Sequence, residues 1–200
     1  MYQKRTFLKT FAFAGVSLVS SYTSVNSGSG WFMSLFNSKN NSNRVAGIPD
    51  QWVDLEGKAV YEYANYILGL NLKNITPRMI LAPHFKCRRG TKNCLPPKNT
   101  WSKIKPTLKV IDTMVDVIGR PISSIVSAYR SPKYNRAVGG KSRSYHMQNQ
   151  AVDVTFTGIK PSHVAKIARK LRDDRNVFAG GVGTYSGFVH IDTRGVNANW

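Results

Sequence analysis

Apolar residues at Trp101, Ile104, Leu108, Ile111, Val115 and Ile118 recur every three or four positions, the spacing of a helix with one buried stripe. Pro106 falls inside that stretch. Either the main helix starts at Lys105–Pro106 after a separate turn, or it bends there. Gly119 ends it. The same spacing predicts an amphipathic helix over Val164 to Leu171, and Tyr61 to Leu70 closes a helix begun near Asp54. Ile122 to Tyr129 reads as a strand. Ala151 to Thr157 and Phe188 to Thr193 alternate instead, the mark of half-buried strands. In the first, Val152, Val154 and Phe156 share a face opposite Ala151, Asp153 and Thr155. In the second, Val189 and Ile191 oppose Phe188, His190 and Asp192. The pattern is mixed α and β, with no internal repeat.

The amino-terminal segment departs from this pattern. Lys4, Arg5 and Lys9 precede an apolar stretch from Phe11 to Val19, which predicts an export signal over residues 1–22. The order Lys4-Arg5-Thr6-Phe7-Leu8-Lys9 resembles a twin-arginine signal with Lys in place of the first Arg, and the ordinary secretion route also fits. Residues 23–45 are rich in Ser and Asn and read as a linker. The folded domain is expected over 46–200. No apolar run reaches the ~20 residues of a membrane-spanning helix, so no stable membrane span is expected unless the signal stays uncleaved. The expected location is the periplasm or cell envelope.

Composition narrows the partners. The 200 residues carry 29 Lys+Arg against 10 Asp+Glu, a formal net charge of +19. Of the basic residues, only Lys4, Arg5 and Lys9 lie before residue 30, so the excess belongs to the domain. Such charge favours polyanions: nucleic acid, anionic lipid or acidic wall polymers. No reading helix or aromatic–basic motif is present, and the export signal argues further against nucleic acid as a partner. The two cysteines, Cys87 and Cys94, flank a short loop with Gly90 at its turn. In an oxidising compartment they are expected to form a disulfide; the rival is a metal pair with His84.

The polar strand faces carry the candidate chemistry. Asp153 is a carboxylate in a strand whose other face is apolar, so it needs a partner or a metal. His146 lies seven residues earlier, in a polar loop leading into the strand. His190 and Asp192 share a face of the second strand. Two His and one Asp with an open fourth position is a pattern of catalytic zinc. Each residue alone also has an ordinary reading, as a satisfied core histidine or a salt-bridge partner. His84 and His163 are left with that ordinary reading.

Three segments then carry a resemblance. Ser144-Tyr145-His146-Met147-Gln148-Asn149-Gln150-Ala151-Val152-Asp153 resembles the S-x-H-x-x-G-x-A-x-D signature of zinc D-alanyl-D-alanine carboxypeptidases and related murein endopeptidases. Ser127-Ala128-Tyr129-Arg130-Ser131-Pro132 with Asn135, and Gly180 to Tyr185 followed by Phe188-Val189-His190-Ile191-Asp192, resemble that family's upstream and closing segments. The resemblance runs from about Leu95 to Trp200 and is closest to the export-signal-bearing branch. It implies a small single α+β domain, a central antiparallel sheet flanked by helices, with zinc (Zn2+) on the sheet face held by His146, Asp153 and His190. It implies a peptidase acting on peptidoglycan stems or cross-links, with Arg130 engaging a substrate carboxylate or the oxyanion. Ser144 is a candidate for substrate binding or for holding the loop. The alternative is a wall-binding module that keeps the fold without turnover. The signature glycine is Asn149 here, the best non-glycine choice for a left-handed backbone. Relatives often place the catalytic base two or three residues before the last ligand, where this chain has Phe188 and Gly187. Asp192 is the nearest candidate base, or else a partner that orients a histidine.

Overall fold

Gly57, at φ 66°, divides the helix expected from Asp54 to Leu70 into α1 (Asp50–Glu56) and α2 (Ala59–Leu68). This is a computed structural model, and it describes residues 44–200. The expected export signal, and all but the last two residues of the expected linker, lie outside the described residues. Among the described residues no helix is long and apolar enough to cross a membrane.

Helix α3 (Pro77–Leu81) begins with proline in its first turn, and the Thr76 hydroxyl accepts the Met79 N–H at 3.4 Å. A 3-10 turn over Ala82–Phe85 leads into a hairpin of β1 (Cys87–Arg88) and β2 (Thr91–Lys92). Its two turn residues, Arg89 and Gly90, have φ of 49° and 71°, the mirror-image turn that suits strand twist. The register puts Cys87 opposite Lys92, so Cys94 lies two residues further along. Such diagonal positions are roughly 7–8 Å apart between Cα atoms, too far for an ordinary disulfide. The expected Cys87–Cys94 bridge is not made, and both cysteines are free thiols.

Helix α4 (Trp101–Ile118) is continuous, with Pro106 inside it and a 3-10 turn over Lys98–Thr100 before it. The separate start at Lys105–Pro106 does not occur. Proline lacks the N–H that would reach Ser102, but Ser102 is exposed, so water can serve its carbonyl. Gly119 closes the helix in the left-handed region, its N–H donating to Val115 O at 2.9 Å. The buried stripe includes Ile104, Leu108, Ile111 and Met114, each contributing about 1.5–3 kcal/mol.

The central sheet contains β3 (Ile122–Ser127), β4 (Ala151–Phe156), β5 (Gly181–Thr184), β6 (Val189–Asp192) and β7 (Ala198–Asn199), in the order β3-β4-β6-β5-β7. Pairings are antiparallel except β5 with β7, which is parallel. The sheet is therefore mixed rather than antiparallel as expected. The reason is a chain reversal after β6, around Gly195 at φ 88°: β7 runs against β6 and so along β5. Helices α5 (Pro132–Ala137) and α6 (Pro161–Asp173) follow β3 and β4, and buried Arg172 on α6 holds this edge, donating to Gly180 O and Ala198 O at 2.9 Å each.

One face of the sheet, with Val152, Val154, Phe156, Val182, Val189 and Ile191, joins the core with α4 and α6. On the other, Asp153 is the register partner of both Ser127 and His190, and His190 of Gly183. A register shift between Ile125 and Ser127 brings Ser127 opposite Asp153.

Candidate active site

His146 sits on a 3-10 turn over Tyr145–Gln148, capped by Ser144, whose hydroxyl accepts the His146 N–H at 3.3 Å. Asn149 ends the turn at φ 56°, ψ 41°, the left-handed backbone for which Asn substitutes for Gly. Its amide donates to Thr100 O at 3.1 Å, tying the turn to the start of α4.

His146, Asp153 and His190 converge. His146 Nε2 lies 3.1 Å from Asp153 Oδ1 and 3.2 Å from His190 Nδ1, and His190 Nδ1 lies 2.9 Å from Asp153 Oδ1. All three residues are buried. The outward nitrogens are committed elsewhere: His146 Nδ1–H is placed to donate to Ala128 O at 2.6 Å, and His190 Nε2–H to Asp192 Oδ2 at 3.0 Å. Fixing those tautomers turns a lone pair of each ring inward, toward the Asp153 oxygen. Two nitrogens and one carboxylate oxygen facing one point are a fitting donor set for zinc. Among the described residues this is the only such group of three.

Electrostatics follow from burial and partners. Burial opposes the charge on Asp153, but His146 and His190, when their rings are protonated toward it, outweigh burial and hold the carboxyl well below the usual carboxylate range. Burial pushes the His146 imidazole down, in spite of Asp153. Arg130 Nη2 donates to Asp153 Oδ2, its Nε to Ser127 Oγ at 2.7 Å, and its backbone N–H to His146 O at 3.2 Å. Arg130 thus braces two members of the cluster while still lining the cleft.

Asp192 is fully buried and committed. Oδ1 accepts from Gly181 N–H at 3.0 Å and Arg194 Nε at 2.8 Å; Oδ2 accepts from His190 and from Arg194 Nη2 at 2.5 Å. Burial opposes its charge, but Arg194, His190 and the Gly181 N–H hold it well below the usual range. Arg194 also lies over the Tyr145 and Trp200 rings, at 4.2 and 5.1 Å. Trp200 packs 5.2 Å from the His190 ring and donates to Tyr185 Oη at 2.8 Å. An alanine Cβ at Gly183 would meet Trp200 Nε1 at 2.5 Å, so glycine there makes room for the indole.

The cluster lies at the floor of an open cleft of about 960 Å³. Arg130, Ser144, His146, Asp153 and His190 all line it. His163 lies on an exposed position of α6, and His84 is buried against Tyr63 and Tyr129, away from the cluster. Arg194, Trp200 and Lys86 also line the cleft and were missed from sequence. Arg194 had a local signal, lying two residues beyond Asp192. Trp200 and Lys86 arrive only through tertiary packing.

The sequence profile of the family described as Peptidase M15 matches residues 79–192 of this chain. The chain belongs to the M15 peptidase family. Among similar proteins are the peptidoglycan L,D-endopeptidases MepK of Escherichia coli K12, Escherichia coli O157:H7 and Shigella flexneri, each 42% identical over 76 residues. The aligned region is 34% of this chain and 38% of each relative, so the match spans well under half the length of these curated relatives. No solved structure matches at a significant level. The matched region takes in Arg130, His146, Asp153, His190 and Asp192, and all five meet at the cluster.

Proposed function

We propose that this M15 peptidase is a zinc-dependent hydrolase of peptide bonds in peptidoglycan stems or cross-links. The observation that carries this is the inward convergence of His146 Nε2, Asp153 Oδ1 and His190 Nδ1 at the floor of the cleft. His146, Asp153 and His190 would hold the zinc, which would supply Lewis acidity and make water acidic enough to act near neutral pH.

The chain's own groups do the rest. Ala128 O and Asp192 fix the two imidazole tautomers. Arg130 holds Asp153 in place, and its place on the cleft wall suits it to a substrate carboxylate or a developing oxyanion. Asp192 takes the positioning role rather than that of base, because both its oxygens are occupied and it is shut off from solvent. Ser144 supports the His146 turn, with its place in the cleft lining leaving it within a substrate's reach. Residues 1–22 serve as the export signal and 23–45 as the linker, with the envelope as the site of action.

A second reading is a wall-binding module without turnover. One observation favours it: Asp153 is the only carboxylate residue lining the cleft among the described residues, so no free general base faces the substrate. Digestion of purified sacculi with wild type and His146→Ala, products read by mass, decides. Metal-dependent products from wild type alone support the hydrolase. Equal products from both would remove the cluster from the chemistry, and binding without cleavage would leave the module.

A further inference from the structure

Positive charge in the cleft is sharply divided between paired and unpaired groups. Arg130 is paired with Asp153 and Arg194 with Asp192. Lys86, Arg88, Lys141 and Arg143 also line the cleft, and among the described residues none has a carboxylate at ion-pair distance. Among the described residues Asp153 is the only acid that lines the cleft with them, and it is already shared by Arg130 and both histidines. A divalent ion at the cluster increases the excess.

Two of the unpaired cations are built into a fixed scaffold. Lys86 and Arg88 are alternate residues entering β1, so their side chains leave on one side while Cys87 leaves on the other. Both line the cleft and Cys87 does not. Lys86 Nζ donates to Val126 O at 2.7 Å, which fixes the ammonium beside β3 and leaves further N–H groups for a ligand. Burial lowers its basicity, Arg130 repels it and Asp153 attracts it, which places its charge near the cluster. The hairpin itself is anchored to the Arg130 segment: Asn93 Nδ2 donates to Tyr129 O at 2.9 Å, and Asn93 Oδ1 accepts the Ser131 N–H at 3.0 Å.

We propose that Lys86 and Arg88 form a carboxylate subsite that selects substrates carrying a free acidic group close to the scissile bond. This rests on the peptidase reading, since the carboxylate is the anion that a stem peptide supplies. A side-chain carboxamide presents no charge to the pair, so amidated stems are disfavoured.

The test uses the full chain and two synthetic stem peptides, identical except that the side-chain carboxylates are free in one and amidated in the other. Binding is measured by calorimetry and cleavage by mass. Wild type is expected to bind the acidic peptide about tenfold more tightly, the product of two partly exposed ion pairs. Lys86→Gln/Arg88→Gln is expected to bind both peptides within about twofold, with an unchanged unfolding midpoint. Arg88→Gln alone, at an exposed side chain with no hydrogen bond to lose, is the variant least able to disturb the fold and should lose part of the preference. Equal binding of the two peptides by wild type, or full preference kept by the double variant, overturns the subsite. Discrimination in binding with no cleavage of either peptide leaves the subsite standing and removes the peptidase reading. Equal binding and cleavage of both does the reverse.

Discussion

His84 should make the protein acid-labile by an amount that can be worked out. It is 1% exposed, Nδ1 meets Leu81 O at 3.1 Å, and Nε2 has no partner. Burial pushes its pKa from an ordinary 6.5 down to about 4, with the Leu81 carbonyl opposing. Between those values the unfolded chain binds a proton that the folded chain refuses, so stability falls as pH drops and levels off below the folded value. The full loss is roughly 3 kcal/mol, of which about 2 kcal/mol has gone by pH 5. Urea unfolding of chelator-treated protein between pH 7 and 5 measures it, wild type against His84→Gln. Other titrating groups, His146 included, contribute equally to both proteins, so the difference in slope isolates His84. The variant's absolute stability is immaterial to that comparison. Identical slopes for the two proteins would refute the reasoning.

Three other outcomes are expected. Asp192→Asn keeps the shape but weakens the hold on His190 and Arg194, and should cost about 10–100-fold in zinc affinity by chelator competition, with circular dichroism unchanged; undiminished affinity would remove its positioning role. At Gly180 an added Cβ would meet the Asp192 carbonyl oxygen at 1.8 Å, so Gly180→Ala should destabilise by at least about 2 kcal/mol in chemical unfolding. At Asn149 the left-handed backbone should make Asn149→Ala about 1 kcal/mol less stable than Asn149→Gly, and equal unfolding midpoints would contradict that.

What could be read from sequence follows the range of the forces involved. The alternation in Ala151–Phe156 and Val189–Asp192 gave the strands and put Asp153 and His190 on polar faces, because a period of two is a local property. Strand β5 went unread since Gly181 and Gly183 are small for reasons that lie elsewhere in the chain: Asp192 and Trp200 occupy the space beside them. The parallel β7 depends on a reversal at Gly195 and on Arg172 reaching across from α6, neither of which has a periodic signature. The break at Gly57 and the run through Pro106 were each decided by a single residue's surroundings. For the cysteines, loop length suggested closure, but register decided against it, and register cannot be counted from spacing. At the site the motif residues were legible, while the commitments of Asp192 and Arg130 required knowing their neighbours.

The row of register partners across the sheet has a consequence for when the protein can act. His146 and Asp153 are seven residues apart, but His190 lies 37 beyond Asp153. It reaches them only once β6 has zipped alongside β4. Before that long-range step a newly made chain holds an incomplete set of donors, and no fragment ending short of β6 can supply the missing one. Latency is therefore inherent in the topology: the three donors are first assembled in the same event that closes the sheet.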